Sequence, residues 1–321
     1  MADNVGAAAT SSNVSGVATT LEDAIENFTN ESAFMVCYER GLEMDRDDPL
    51  FIDPLAKRLA AMTKGERLSE DFGKGAHVHF QFHGWPEFHQ QWTAVRTKFI
   101  DDTLRRLLQQ GETGGGGENE TLTKYQFVNL GAGLDMRVYR LSCLSSAAAA
   151  YEVDMEEINK PKQLLLYSLL QKYGGTSGKG GGDDTTTNYK PVCPRKLVSA
   201  NLKQQNELTS ALKGAGFDPT NRSIFVAEGL IMYLEKAQAP FLKEVSSIAS
   251  PGSSLILNFL DGPVPTSERG LTTEEIKNLL QAEGWMDLNF HQYGDDVLNY
   301  GRFQPQFKPS PYFSFVTCTK R

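Results

Sequence analysis

The chain has 321 residues, of which 40% are hydrophobic, with a formal net charge of −8 and a pI of about 5.3. That length is sufficient for one large α/β domain with insertions, or for two small domains. The acidic balance argues against a nucleic-acid partner. No apolar run approaches the length of a membrane span, so we expect no membrane partner.

The cysteines and the N-terminal residues indicate the cellular compartment of the protein. Cys37, Cys143, Cys193 and Cys318 are scattered without a CxxC pair. We therefore predict reduced thiols in a cytoplasmic protein, and neither a disulfide framework nor a zinc site. Residues 1–20 are rich in Ala, Ser, Thr, Asn and Gly and contain no Lys or Arg, unlike a transit or signal peptide. We predict a disordered tail over residues 1–30.

Residues 31–123 are predicted to form a helical cap or lid. Apolar residues recur at helical spacing there, and the spacing over Trp92–Leu108 predicts one long amphipathic helix. A glycine-rich loop, Gly111–Glu118, then separates this cap from the rest of the chain. A second glycine-rich insert, Gly174–Thr187, is predicted to be a surface loop without chemistry of its own.

Residues 124–321 alternate between predicted strands and predicted helices. This alternation is typical of an α/β domain with a doubly wound, mostly parallel sheet and helices on both faces. The predicted strands are Gln126–Leu130, Tyr151–Val153, Lys196–Ser199, Ser223–Ala227, Ser254–Phe259 and Tyr312–Thr317. The predicted helices are Asp135–Leu141, Glu156–Tyr173, Gln204–Ala215, Lys236–Ser246 and Thr273–Glu283.

The segment Tyr125–Arg137 has the pattern of a buried strand, a glycine turn (Gly131-Ala132-Gly133) and a helix start. Glycine lets the backbone approach a ligand closely, and a helix N-terminus offers free N–H donors. In open α/β sheets, nucleotide-like cofactors bind at such a corner. Taken alone, the turn can also be an ordinary strand–helix connection.

Two positions after the glycine turn indicate which cofactor binds there. A dinucleotide fingerprint has a third glycine where this chain has Met136, which favours S-adenosyl-L-methionine over NAD because the former has no pyrophosphate. Asp154 ends a short strand about twenty residues after the turn, where an acid can accept both ribose hydroxyls. Asp154 can alternatively cap the helix that follows. An NAD-dependent oxidoreductase remains the rival interpretation.

Polar residues also follow the third and fourth predicted strands. Asn201 can hydrogen-bond the adenine amine while Leu202 covers its face, and Glu228 can hold the cofactor's ammonium group. Arg96, on the long cap helix, can pair with the cofactor's carboxylate in a bidentate manner. The plainer alternative is that Arg96 and Glu228 are surface charges or members of structural ion pairs.

Several of these segments together resemble the leucine carboxyl methyltransferase family, which also includes bacterial small-molecule O-methyltransferases. In the sheet region the resemblance lies in Val128–Asp135, Glu152–Asp154 and Ala227–Leu234. In the cap it lies in Pro49–Ala56 and Arg96–Asp101. It covers nearly the whole chain beyond the predicted tail, and the motifs are specific in combination.

The resemblance implies a class I, Rossmann-like methyltransferase fold with a helical cap, and S-adenosyl-L-methionine as the methyl donor. Asn201-Leu202 departs from the Asp-Leu that is usual in the family. Asparagine keeps an acceptor and adds a donor, so we expect adenine recognition to survive, with weaker donor binding. By position, the family's donor contacts fall on Arg96, Gly131, Asp154, Asn201, Leu202 and Glu228, with Gly133 in the glycine turn and Arg40 as a further carboxylate contact.

Four histidines cluster within residues 75–90. His77 and His79 would share one face of a strand, as a metal pair does, but no acidic or cysteine ligand has a fitting spacing beyond Glu87, and we predict no metal. Histidine suits a general base because its unperturbed pKa lies near 6.5. The candidate catalytic residues are His79 and His83 in this cluster, and Tyr233. The plainer alternatives are a polar loop or partly buried surface for the histidines, and a core position for Tyr233.

The predicted reaction is methyl transfer to an oxygen atom. A carboxylate acceptor is already ionised at neutral pH and needs no base, whereas a phenol or alcohol needs one. The acceptor is either a small molecule or a protein C-terminal carboxylate, and the segment Ala227–Tyr233 resembles the small-molecule branch more closely. A non-catalytic binding module with the same fold is disfavoured by the presence of Arg96, Asp154 and Glu228.

Overall fold

The computed structural model describes residues 31–71, 85–113, 124–173, 190–261, 270–303 and 313–321. The predicted tail over residues 1–30 lies outside these ranges, as do the candidate bases His79 and His83 and the whole Gly174–Thr187 insert. Most of the Gly111–Glu118 loop lies outside them as well. The fold and the site are therefore derived from the remaining segments.

Helices make up the first part of the chain. Helix α2 starts sharply because Pro54 occupies its first turn and the Asp53 side chain accepts a hydrogen bond from the Ala56 N–H at 3.0 Å. The long helix α3 extends beyond the predicted Trp92–Leu108 in both directions. The helices are α1 (Glu31–Glu43), α2 (Pro54–Ala60) and α3 (Trp85–Thr113), with residues 65–71 also helical.

Seven strands of the described residues form one sheet in the order β3-β2-β1-β4-β5-β7-β6. All neighbouring pairs are parallel except those that involve β7, which is antiparallel to both β5 and β6. The predicted doubly wound, mostly parallel sheet is confirmed. The strands are β1 (Gln126–Leu130), β2 (Ala149–Asp154), β3 (Arg195–Ser199), β4 (Ser223–Ala227), β5 (Ser254–Leu260), β6 (Trp285–Gln292) and β7 (Phe313–Lys320).

The helices of the sheet region lie close to their predicted positions, with one clear difference. Helix α4 is shorter than the predicted Asp135–Leu141, because Asp135 stays outside it and its side chain accepts the Arg137 N–H at 2.8 Å. Leu141 then adopts an extended conformation. The helices are α4 (Arg137–Arg140), α5 (Glu156–Tyr173), α6 (Glu207–Gly214), α7 (Gln238–Ile248) and α8 (Thr273–Ala282).

Strand β6 was not predicted, and its backbone explains why. Asp287 has a positive φ of 53°, and the register with β7 shifts between Met286 and Asn289. A bulge of this kind breaks the two-residue alternation of apolar and polar side chains by which a strand is identified. The strand is also at the edge of the sheet, where its polar side chains face solvent.

The two faces of the sheet carry separate apolar cores, as the alternation along β1 requires. Phe127 belongs to the core that contains Trp92 and Phe99 of α3, whereas Val128 belongs to the core that contains Phe241 of α7. Helix α3 of the predicted cap therefore packs directly on the sheet. A third cluster joins α1 and α2 to α5. This packing places α1 and α3 beside the carboxyl ends of β1 and β4.

Candidate active site

The turn after β1 requires glycine. Gly131 and Gly133 have positive φ angles of 65° and 41°. A Cβ on Gly131 would lie 2.8 Å from Leu230 Cδ1, closer than such atoms normally approach, and one on Gly133 would lie 3.4 Å from Cβ of Ala33 in α1. The turn therefore presents bare backbone to the space between the sheet and α1, as the sequence pattern indicated.

Asp154, at the end of β2, is tied to this turn. Its Oδ2 accepts the Gly133 N–H at 2.7 Å and its Oδ1 accepts the Met155 N–H at 2.8 Å. Burial raises the pKa of Asp154, and the two backbone hydrogen bonds partly oppose that rise. Helix α5 starts at Glu156, so neither bond is the usual cap contact to the second or third helical residue. Each carboxylate oxygen keeps a further acceptor position, which suits the two ribose hydroxyls.

Glu228, directly after β4, binds three arginines from three different helices. Its Oε1 accepts hydrogen bonds from Arg40 Nη2 at 2.7 Å and from Arg96 Nε at 2.8 Å. Its Oε2 accepts one from Arg137 Nη1 at 2.6 Å. Burial alone would raise the pKa of Glu228, but Arg137, Arg40 and Arg96 hold it well below its usual range. The carboxylate is therefore ionised at neutral pH.

Arg137 extends these contacts into a buried network. Its guanidinium is fully buried and also donates to Asp101 and Asp135, while Arg140 bridges Asp101 and Asp53. The network comprises four arginines and four carboxylates, so its formal charges cancel. We call it the arginine network; its members are Arg40, Arg96, Arg137, Arg140, Asp53, Asp101, Asp135 and Glu228.

Sequence reasoning did not assign Arg137 or Asp135 to the site. The available signal was a basic and an acidic residue two positions apart, directly after the glycine turn and among apolar neighbours. Asn129 Nδ2 donates to Asp135 at 2.8 Å, so the end of β1 also orients this carboxylate. Charged residues at this place would be costly to bury without such partners.

A cleft of about 160 Å³ opens beside the arginine network. Within the described residues, Arg40 forms hydrogen bonds through Nε and Nη2 and Arg96 through Nε, which leaves Nη1 of Arg40 and both terminal nitrogens of Arg96 as donors for a ligand. Those donors can bind a carboxylate, and Glu228 can bind an ammonium group. The cleft brings together the predicted site residues Arg40, Arg96, Gly131, Gly133, Glu228 and Tyr233.

Asn201 and Leu202 lie past the end of β3 and do not line this cleft. Asn201 Oδ1 accepts the Lys203 N–H at 3.0 Å, and the Leu202 side chain is buried in the sheet core. Both remain near Asp154, since the Ala200 N–H donates to the Asp154 carbonyl oxygen at 2.9 Å. The predicted adenine contacts and the predicted amino-acid contacts are thus on opposite sides of Asp154 along the sheet edge.

Other residues complete the cleft wall. Tyr233 is 53% exposed at the rim, and His89, Trp92 and Phe313 line the cleft without having been assigned from the sequence. Asn258 Oδ1 accepts the Gly229 N–H at 3.1 Å and so fixes the loop that carries Glu228. This part of the cleft is more apolar than the part beside the arginines.

The described ranges also bear on two further features, a metal site and a membrane-spanning helix. These segments contain no group of three or more His, Cys, Asp or Glu side chains that could hold a metal ion. None of the helices in the described part of the chain combines the length and apolar character needed to cross a membrane. All four cysteines lie in described segments and are free thiols.

Comparison with known proteins gives the family. The leucine carboxyl methyltransferase family model matches residues 33–245. A relative from Mycobacterium avium, named as a putative S-adenosyl-L-methionine-dependent methyltransferase, is 27% identical over 295 residues, covering 88% of this chain and 81% of the relative. A similarly named protein from Mycobacterium tuberculosis is 28% identical over 81% of this chain, which spans 65% of that protein's length.

A solved structure of similar fold comes from Streptomyces avermitilis, where it is described as a DUF574 family protein. It aligns with a TM-score of 0.51 at 14% identity and covers 90% of this chain and 97% of its own. At that identity the likeness concerns the fold. The family match, in contrast, covers more than half of the chain and includes the glycine turn, Asp154 and Glu228. The chain therefore belongs to the leucine carboxyl methyltransferase family, and it is an S-adenosyl-L-methionine-dependent methyltransferase with a class I, Rossmann-like fold.

Proposed function

We propose that the chain transfers the methyl group of S-adenosyl-L-methionine to an oxygen atom of a small molecule. The observation that carries donor binding at this cleft is the arrangement of Arg40 and Arg96 around Glu228, beside the glycine turn. The family, named for carboxyl methylation, supports an oxygen acceptor. The resemblance of Ala227–Tyr233 to the bacterial branch supports a small molecule over a protein C-terminus.

The proposed donor placement follows the chemistry of its parts. The methionine carboxylate binds the unused donors of Arg40 and Arg96, and the ammonium group binds Glu228. The ribose hydroxyls bind Asp154, and adenine lies against Leu202 with its amine at Asn201. The glycine turn passes beside the donor without a side chain in the way.

Charge balance supports this placement. The arginine network has no formal net charge, and the amino-acid head of the donor is a zwitterion with one positive and one negative group. Docking the two therefore leaves no uncompensated charge in a buried site, which would be costly. A ligand with a carboxylate alone lacks the group that pairs with Glu228.

The protein's part in the reaction is to position the donor and the acceptor and to exclude water. The donor supplies an electrophilic methyl group and a neutral thioether as leaving group. The cleft must hold the acceptor oxygen in line with the methyl carbon and sulfur, which converts a bimolecular reaction into a unimolecular one. The buried Trp92 and Phe313 on the cleft wall keep water from competing for the methyl group.

Donor binding is tested by titration calorimetry with S-adenosylhomocysteine. Asp154→Ala is expected to weaken binding by roughly 1.5–3 kcal/mol, the range for hydrogen bonds to a charged group. Asp218→Ala, at an exposed loop aspartate, is the matched control and is expected to bind normally. Unchanged binding in Asp154→Ala would refute the placement of the ribose, and thermal stabilisation by NAD but not by S-adenosylhomocysteine would refute the donor.

Acceptor size is tested with donor carrying a radiolabelled methyl group. Small carboxylates and phenols are compared with a peptide that ends in a leucine carboxylate. The proposal expects label in the small molecules and none in the peptide. Label in the peptide alone would contradict a small-molecule acceptor while leaving donor binding intact.

A further inference from the structure

Beyond the arginine network, apolar side chains from five separate elements line the cleft. They come from α1, α3, the turn after β4, the end of β5 and the start of β7. Trp92 and Phe313 are buried members of the core on one face of the sheet, so their positions are set by packing. We call this surface the apolar wall; its members are Met35, Val36, Trp92, Met232, Leu260 and Phe313.

Two rings of the apolar wall, Trp92 and Phe313, form an aromatic floor. Their centroids are 5.2 Å apart and their planes meet at 63°, close to an edge-to-face arrangement. Phe88 packs on Phe313 at 5.0 Å and 70°, and Tyr293 packs on Trp92 at 5.9 Å and 77°. The four rings hold one another in fixed orientations. Such a floor suits a flat ligand ring, which can pack against it by an edge or by a face.

Two polar side chains of the cleft lining are engaged with the protein. Asn258 Oδ1 accepts the Gly229 N–H, and its Nδ2 donates to the Ser314 carbonyl oxygen, both at 3.1 Å. His89 Nδ1 lies 2.8 Å from Oε2 of Glu39, which is itself buried. The part of the cleft away from the arginines therefore offers an acceptor mainly carbon surface, and burial of apolar area supplies most of the favourable contact there.

Tyr233 is the exposed aromatic residue of the cleft. It ends the short 3-10 turn Ile231–Tyr233 that follows β4. Ile231 and Leu234 are buried in the sheet core, and the Tyr233 N–H donates to the Leu230 carbonyl oxygen at 2.9 Å. The turn is thus anchored on both sides of the tyrosine, whose side chain stays about half exposed at the rim. A ring presented in this way has a face available to a ligand ring.

We propose that the acceptor is an aromatic small molecule and that Tyr233 is its specificity-determining residue; this inference rests on the proposed function. The acceptor ring lies between Tyr233 and the aromatic floor, with its oxygen directed to the donor. That oxygen forms a bond to the methyl carbon as the carbon–sulfur bond breaks. The electron pair of the broken bond stays on sulfur, which gives S-adenosylhomocysteine. A carboxylate acceptor becomes a neutral ester, and a hydroxyl acceptor also releases its proton to water.

The proposal assigns the preference to the ring of Tyr233 and not to its hydroxyl group. A well-oriented pair of aromatic rings adds about two- to tenfold to affinity beyond the effect of the area that the rings bury. A saturated ring of similar size buries comparable area but lacks this contribution. The aromatic character of the acceptor can therefore be measured separately from its size.

The test compares acceptors that differ only in the ring. Phenylacetate is paired with cyclohexylacetate, and benzyl alcohol with cyclohexylmethanol, each with donor that carries a radiolabelled methyl group. Within a pair the oxygen and the linker are the same, so the ratio of the two kcat/KM values reports the ring. In each pair that takes label, we expect wild type to favour the aromatic member by about two- to tenfold.

Three variants locate the preference. Tyr233→Ala removes the ring, and we expect the ratio to fall to about one and KM for the aromatic member to rise roughly tenfold. Tyr233→Phe removes only the hydroxyl group, so the ratio should be retained. Tyr167→Ala, at an exposed tyrosine of α5 that does not line the cleft, is the matched control and should show the wild-type ratio.

Several results would overturn the inference. These are a wild-type ratio near one, a preference for the saturated member, no label in any of the four probes, or an unchanged ratio in Tyr233→Ala. Loss of the preference in Tyr233→Phe would overturn it too, because the hydroxyl group would then be responsible. Normal affinity of Tyr233→Ala for S-adenosylhomocysteine shows that the donor end is intact. Failure of wild type to bind that ligand would instead overturn the proposed function.

Discussion

Two buried carboxylates of this protein look alike in burial and charge but differ in what surrounds them. Glu228 binds three arginines at the wall of a cleft. Glu152, in the middle of β2, accepts a hydrogen bond from Arg195 Nε at 2.7 Å and forms an ion pair with Lys162 at 3.1 Å. Both side chains are at most 5% exposed.

The two sites differ in the donor groups that the basic partners leave unbonded and in whether a ligand can reach them. At Glu228 both carboxylate oxygens accept hydrogen bonds from arginines, and the remaining arginine donors adjoin a cleft. At Glu152, Oε1 and the Lys162 Nζ have no hydrogen-bond partner among the described residues, and both side chains are buried. The Glu152 cluster therefore serves to join β2, β3 and α5, and a buried ion pair by itself does not identify a ligand site.

Removal of each carboxylate gives the largest expected effect and the most direct test of this comparison. Glu228→Ala and Glu152→Ala should each lower the free energy of unfolding by about 3–5 kcal/mol, since each leaves buried positive charge without its partner. Urea unfolding measures that loss. Only Glu228→Ala should also abolish S-adenosylhomocysteine binding. Glu228→Gln and Glu152→Gln, which keep the side-chain volume, allow the binding measurement if the alanine variants do not fold.

Arg96→Met tests whether the unused donors bind the ligand. We expect S-adenosylhomocysteine affinity to fall by roughly 1.5–3 kcal/mol, because one charged partner of the ligand carboxylate is lost. Arg105→Met, at a partly exposed arginine on the same helix, is the control and should bind normally. Equal affinities in the two variants would mean that Arg96 serves Glu228 alone.

The effect of acid pH on the free energy of unfolding should distinguish the buried arginine network from charges on an ordinary protein surface. The pKa of Glu228 is held well below its usual 4.5 in the folded protein, so its contribution to stability is complete above that value and is lost as the pH falls towards the folded-state pKa. The free energy of unfolding, measured in urea between about pH 3 and pH 7, should therefore fall steeply on the acid side. In Glu228→Gln that fall should be smaller, because the neutral amide does not titrate.

Asn201→Asp should have the smallest effect. The substitution restores the residue usual in the family and keeps the acceptor for the Lys203 N–H. Replacing the amide with a second oxygen favours the adenine amine, and we expect tighter S-adenosylhomocysteine binding by about 0.5–1 kcal/mol, the net value of one hydrogen bond. Asn299→Asp, at an exposed position, is the control. A loss of affinity in Asn201→Asp would contradict the placement of adenine.

The parts that sequence predicts well are those with local causes. The glycine turn is required by positive φ angles and by the close approach of Leu230, and the buried runs of β1 and β4 are continuous in sequence. Strand β6 was not predicted because the bulge at Asp287 interrupts its alternation of apolar and polar side chains. The ion pairs of Glu228 were not predicted for a different reason. Arg40 lies 188 positions from Glu228 in the sequence, and only the folded structure brings the two side chains into contact.

Helix α1 carries Glu39 and Arg40 as consecutive residues, and the two side chains bind different partners. Arg40 reaches Glu228 at the donor end of the cleft, while Glu39 holds the imidazole of His89. Because the two residues are consecutive on one helix, a single rigid element sets the positions of both side chains. Substitutions in the apolar contacts of α1 with α2 and α5, away from the cleft, should therefore weaken S-adenosylhomocysteine binding, which titration calorimetry measures. One helix thus fixes a guanidinium and an imidazole on the wall of the same cleft.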